Sequence, residues 1–60
     1  MTNKYKKGDE VLFYRYGELE MGTIVRVFEY WGEIFYLMKC ENFTCYSKES
    51  NVSQLIARKQ

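Results

Sequence analysis

The sequence contains no histidine and no proline, only two cysteines and four glycines, and no long apolar run. Each absence removes something. Without histidine the chain can build neither a Ser-His-Asp nor a Cys-His catalytic set, and it has no imidazole to offer a metal. Average usage would supply roughly three prolines at this length. With none, the protein cannot itself be a PxxP ligand, and its turns fall to Gly, Asn and Asp. No stretch approaches the ~20 apolar residues of a membrane-spanning helix. The segment from Met1 to Lys7 is polar and basic rather than an apolar secretion leader. The expectation is a cytoplasmic protein, a complete small gene product with no membrane partner. Its cysteines are then expected to stay reduced. The sequons Asn42-Phe43-Thr44 and Asn51-Val52-Ser53 are expected to be chance. A charge excess is missing too: nine Lys and Arg against eight Asp and Glu leave a net +1. That balance argues against strong, sequence-blind binding to nucleic acid, although local patches remain open.

What is present is aromatic. Six Tyr, four Phe and one Trp occur in 60 residues. A chain this short buries only about 60% of its unfolded surface, and large rings compensate because each buries roughly 150–250 Å². The expectation is one globular domain, residues 1–60, with residues 1–7 and 58–60 as mobile ends.

Helical periodicity of useful length is absent, whereas short β-rich runs recur. The run from Glu10 to Tyr16 alternates Val11 and Phe13 against Leu12 and Tyr14. Tyr16-Gly17-Glu18-Leu19-Glu20 reads as a loop. The second strand is expected over Met21 to Tyr30, with Gly22 at a bulge or close backbone approach and Ile24 as its clearest core residue. Trp31-Gly32 marks a hairpin, and because tryptophan disfavours positive φ, a longer loop with only Gly32 left-handed is expected. The third strand, Glu33 to Glu41, places Tyr36, Met38 and Cys40 on one face. Asn42 is the candidate left-handed residue of the next turn. A short strand over Cys45–Lys48, a helical turn over Ser50–Gln54 and a last strand at Leu55–Ala57 complete the chain. The fold class is all-β: five strands with one short helical turn before the last.

The pattern Gly8-Asp9-x-Val11, Gly22-x-Ile24-x-x-Val27, Tyr36-x-Met38 and Val52-x-x-Leu55 resembles the small SH3-like barrel shared by Tudor, KOW and SH3 domains, and covers most of residues 7–57. The acidic and Trp-Trp positions of SH3 domains are missing, which argues against proline-rich ligands. The resemblance implies a domain that binds rather than catalyses. It also implies that the first two loops share one end of the barrel, bringing Tyr14, Tyr16, Glu18 and Glu20 towards Tyr30, Trp31 and Glu33. Three readings of that cluster stay open: rings capping the barrel, a Tudor-type cage for a methylated cation, and a protein-binding hot spot.

Two further groups stand out. Lys4, Tyr5, Lys6 and Lys7 precede the first strand, and Arg58 and Lys59 follow the last. With the termini side by side, as the resemblance implies, they would form a basic patch with a ring for base stacking. Cys40 and Cys45 flank the third turn, close enough in principle for a disulfide or a shared metal. Two thiols leave a zinc site incomplete, so they are read as small apolar residues. No nucleophile–base pair, phosphate loop or dinucleotide fingerprint occurs, and neither enzymatic activity nor a cofactor or metal is expected. The expected role is a non-enzymatic protein-binding module using Tyr14, Tyr16, Glu18, Tyr30 and Trp31. It would act as a stand-alone regulator or inhibitor, of the kind phages and mobile elements encode. The alternative is a nucleic-acid binder using the terminal basic residues. Either would be a monomer or a weak homo-oligomer, the latter through an exposed strand edge.

Overall fold

A computed structural model describes residues 4–58. It contains β1 (Glu10–Arg15), β2 (Glu18–Tyr30), β3 (Glu33–Lys39), β4 (Thr44–Lys48), a 3-10 turn (Glu49–Asn51) and β5 (Val52–Ala57). The strands form one antiparallel sheet in the order β4-β3-β2-β1-β5. The all-β, five-strand expectation is met, including the single helical turn before the last strand. Among the described residues, no helix is long and apolar enough to cross a membrane.

The long β2 organises the sheet. Its first half, Glu18 to Thr23, pairs with β1, and its second half, Thr23 to Tyr30, pairs with β3. A register shift between Ile24 and Arg26 leaves Val25 as an extra residue, and a bulge of this kind bends a strand. The two halves therefore fold towards each other around a common core. Val11 and Phe13 enter it from β1, Ile24 from β2, and Tyr36 and Met38 from β3, all fully buried, with Ile34 and Cys40 at its margin. Gly22 is where the halves touch. A β-carbon there would lie 3.0 Å from the Phe13 ring, 3.2 Å from the Cys40 sulfur and 3.3 Å from the Met38 β-carbon. The close approach expected at Gly22 is present, while the bulge sits three residues later.

Several boundaries depart from the sequence reading. The β1–β2 and β2–β3 hairpins both close over two residues only. Tyr16 and Gly17 have φ of 54° and 78°, as do Trp31 and Gly32. Two left-handed central residues are what a type I′ turn requires, and this turn suits strand twist. The longer Trp31 loop is thus corrected: matching the twist outweighs a cost of roughly 1–2 kcal/mol for a side chain at positive φ. The shorter first turn lets β2 begin at Glu18 instead of Met21. Asn42 is not left-handed, since Tyr16 and Trp31 are the described non-glycine residues with positive φ. The helical turn begins at Glu49, earlier than expected, and Val52 to Gln54 join β5.

A clasp closes the core from the N-terminal side. Tyr36 is fully buried and its hydroxyl donates to Glu49 Oε2 at 2.7 Å. The Tyr5 amide donates to the same hydroxyl at 3.3 Å, the Tyr5 ring meets Tyr36 edge-on at 5.9 Å, and the Lys4 amide donates to Glu49 Oε2 at 2.9 Å. Burial, then the Glu49 bond, raises the Tyr36 phenol, which stays protonated. The Lys4 amide, then the Tyr36 hydroxyl, holds the Glu49 carboxyl below its ordinary 4.5. A carboxyl with a depressed folded pKa adds stability above its unfolded pKa, and that contribution is lost as pH falls through the folded value. Glu49→Gln is therefore expected to lower the melting temperature at pH 7 and to make it fall less between pH 5 and pH 3 than in the parent. Parallel melting curves from the two proteins would refute this.

Candidate functional site

The two hairpin tips hold the sequence-predicted binding residues, and they lie at opposite ends of β2. Tyr16 follows β1 and leads into Glu18, whereas Tyr30 and Trp31 sit past the bend at the far end. The expected convergence of the two loops does not occur. An antiparallel meander places successive turns at alternate ends, so the Tyr16 tip instead neighbours the β3–β4 turn. There the Arg15 guanidinium lies 4.0 Å from the Phe43 ring centroid and 5.2 Å from that of Tyr16. Tyr16 is 92% exposed and Trp31 84%. Bulky side chains held left-handed are rare in proteins, and here both project into solvent. Glu18 is exposed opposite Arg15 across the strand pair, while the ion pair of Arg15 is with Glu20 at 3.6 Å.

The larger aromatic surface involves residues that the sequence reading passed over. On the outer face of the β2–β3–β4 half, Phe28 pairs with Phe35 across the strands, their rings 6.0 Å apart and nearly parallel. Tyr46 of β4 meets Phe28 edge-on at 5.5 Å, Tyr30 meets Phe35 at 6.3 Å, and Trp31 meets Tyr30 at 5.9 Å. Phe28, Tyr30, Phe35 and Tyr46 line a shallow apolar depression. The signal was in the strand parity. Phe35 and Leu37 alternate with the buried Ile34, Tyr36 and Met38, so every second position of β3 had to face outwards. Arg26 borders the cluster beside Phe28 and Tyr46, and Lys48 closes another side, ion-paired with Glu33 at 3.3 Å.

Tyr46 connects the two tips. It is 67% exposed and lines both the Phe28–Phe35 depression and a groove of about 450 Å³. That groove runs between Tyr14, Arg15 and Tyr16 on one bank and Phe43 to Ser47 on the other. Tyr14, Tyr16, Tyr30 and Trp31 therefore flank one band of rings that has Tyr46 at its middle. The chain matches no family model, no curated protein and no solved structure. The surface must be judged on its own chemistry.

The basic termini are adjacent, as expected: Ala57 pairs with Glu10, and Arg58 Nε lies 3.9 Å from Asp9 Oδ1. Much of the group has structural work, however. Asp9 is buried, and its Oδ2 accepts the Lys6 amide at 3.0 Å. Its Oδ1 has no hydrogen bond, so Arg58 offsets that charge by proximity alone. The Tyr5 ring packs against the core at Tyr36, an edge-on contact that limits what it can offer a base. Lys4, Lys6 and Lys7 are exposed. Lys59 lies outside the described residues.

Cys40 and Cys45 are both free thiols. Burial, and then the neighbouring Cys45, push the Cys40 thiol up to about 11, so it stays protonated and unreactive at neutral pH. Among the described residues, no three His, Cys, Asp or Glu side chains are grouped to hold a metal.

Proposed function

We propose that the chain is a small SH3-like barrel acting as a non-enzymatic module that binds a protein partner. Its contact surface is the aromatic band from Trp31 through Tyr30, Phe35 and Phe28 to Tyr46. The strand order and the 3-10 turn before the last strand support the fold assignment. One observation carries the functional reading: Tyr30, Tyr46 and Trp31 are 60%, 67% and 84% exposed, yet they are joined ring to ring through Phe28 and Phe35. Tyr and Trp anchors with a bordering arginine are the residue types that dominate protein-binding hot spots. Holding Trp31 left-handed costs stability that an asparagine at the same turn would recover. A costly exposed ring is better explained by a contact than by packing.

The test is affinity capture from source cells by the parent chain and by Tyr30→Ala/Trp31→Asn. The variant is expected to melt no lower than the parent minus a few degrees and to lose the captured protein at least tenfold. Equal capture by both chains would overturn the reading. A salt titration with single- and double-stranded oligonucleotides checks the alternative. Steep, salt-sensitive binding that is lost on neutralising Lys4, Lys6 and Lys7 would favour a nucleic-acid role instead.

A further inference from the structure

The two edges of the sheet are built differently. β5 pairs with β1 through two register shifts, the irregularity that commonly blunts an edge against further pairing. The other edge, β4, keeps an unbroken register with β3 from Thr44 to Lys48. The direction of its backbone groups follows from a neighbouring bond. The Cys40 amide donates to the Phe43 carbonyl at 2.7 Å, in the same register as Lys39 opposite Thr44. Bonded and non-bonded pairs alternate along an antiparallel ladder. Cys45 and Ser47 therefore bond to β3, and Thr44, Tyr46 and Lys48 direct their amides to the open side.

That open side is the groove beside Tyr14, Arg15 and Tyr16. Its far bank is also unpaired, because β5 leaves β1 at Phe13 opposite Val52 and continues no further along it. The groove is thus bounded by two strand edges and floored in part by Phe13 and Phe43. Its lining includes the Arg15 cation and no carboxylate, and Lys48 follows at the end of β4. Each cation already has a carboxylate beside it, Glu20 at 3.6 Å from Arg15 and Glu33 at 3.3 Å from Lys48. An acidic segment therefore competes for them, while Arg15 Nε has no hydrogen-bond partner among the described residues.

We propose that the groove takes an extended, carboxylate-bearing segment of the partner protein as a sixth strand, paired with β4. Added strands gain affinity from main-chain hydrogen bonds and specificity from alternate side chains. Here the outward side chain beside Tyr46 meets the aromatic band, and a carboxylate displaces Glu20 from Arg15 or Glu33 from Lys48. The inference rests on the protein-binding reading and specifies how that partner enters.

The probe is a displayed library of random dodecapeptides selected on the full chain. Selected peptides are expected to alternate apolar residues with Asp or Glu. A synthetic copy should slow amide exchange at Tyr46 at least tenfold, with little change at Cys45 and Ser47. N-methylation of alternate peptide amides should weaken binding about a hundredfold, a test that leaves the protein unaltered. Thr44→Pro, which removes one outward amide and none of the β3 ladder, should weaken it as well. Selection of helical peptides, exchange at Tyr46 that stays fast in the complex, or no enrichment at all would overturn the proposal. If capture by the parent is still lost in Tyr30→Ala/Trp31→Asn while Tyr46 exchange is unmoved, the protein-binding reading stands and only the added strand falls.

Discussion

Replacing Phe13 by alanine is expected to leave the protein largely unfolded at 37 °C. Phe13 is fully buried where β1 meets the second half of the sheet, and its ring edge fills the space left by Gly22. Truncating a buried phenylalanine costs about 3–5 kcal/mol through lost burial and the cavity left behind. A domain of this size has roughly 3–9 kcal/mol in total, at the usual stability per residue. Urea titration followed by circular dichroism reads the change directly. A loss below about 1.5 kcal/mol would mean that the sheet closes over the void and that the core is far softer than its contacts imply.

The converse change, Gly22→Val, is expected to be nearly as damaging. The first atom added would already sit 3.0–3.3 Å from Phe13, Cys40 and Met38, and a valine adds two more. Of these neighbours the Met38 β-carbon is fixed to a central strand and cannot withdraw. Overpacking of this kind costs about 1–3 kcal/mol or more, or a melting-temperature drop of about 4–8 °C for each kcal/mol in so small a domain. Because the two sites share one space, their effects should not add. Gly22→Ala combined with Phe13→Leu is expected to be more stable than the sum of the single losses. Strict additivity in that cycle would show that Gly22 is there for some reason other than the Phe13 ring.

This shared space also shows what the sequence made legible. Strand identity follows from alternation, which groups Val11 with Phe13 and Tyr36 with Met38 on shared faces. The fold buries both faces together with Ile24, the core residue the sequence names. Glycine at position 22 announced a close approach, but not which atoms approach. Local preference is a poor guide at the hairpin turns, where sheet twist prevails: Trp31 accepts a left-handed backbone that tryptophan alone would avoid. The candidate surface was half visible. Tyr14, Tyr16, Tyr30 and Trp31 stand out in the sequence for lying near turns, whereas nothing local marks Phe28, Phe35 and Tyr46, which lie within strands. Only the register of β2, β3 and β4 shows that these three share an outward face. Their parity was readable, whereas their adjacency needed the pairing. The supposed meeting of the two loops failed for the same reason, since a loop's neighbours depend on strand direction and not on its own composition.

The Tyr36–Glu49 clasp has a consequence for the order in which the chain assembles. The β1–β2 and β2–β3 hairpins close over two residues, and contacts that local form within microseconds. The Lys4 amide, by contrast, finds its acceptor 45 positions away, and the Tyr5 amide finds its own at a separation of 31. Ordering chain over such distances costs entropy before any contact repays it. Lys4 and Tyr5 are thus the last to be fixed, and they latch a sheet that is already standing. In kinetic terms the clasp governs how long the folded sheet stays shut: Glu49→Gln should speed unfolding while leaving the folding rate where it was.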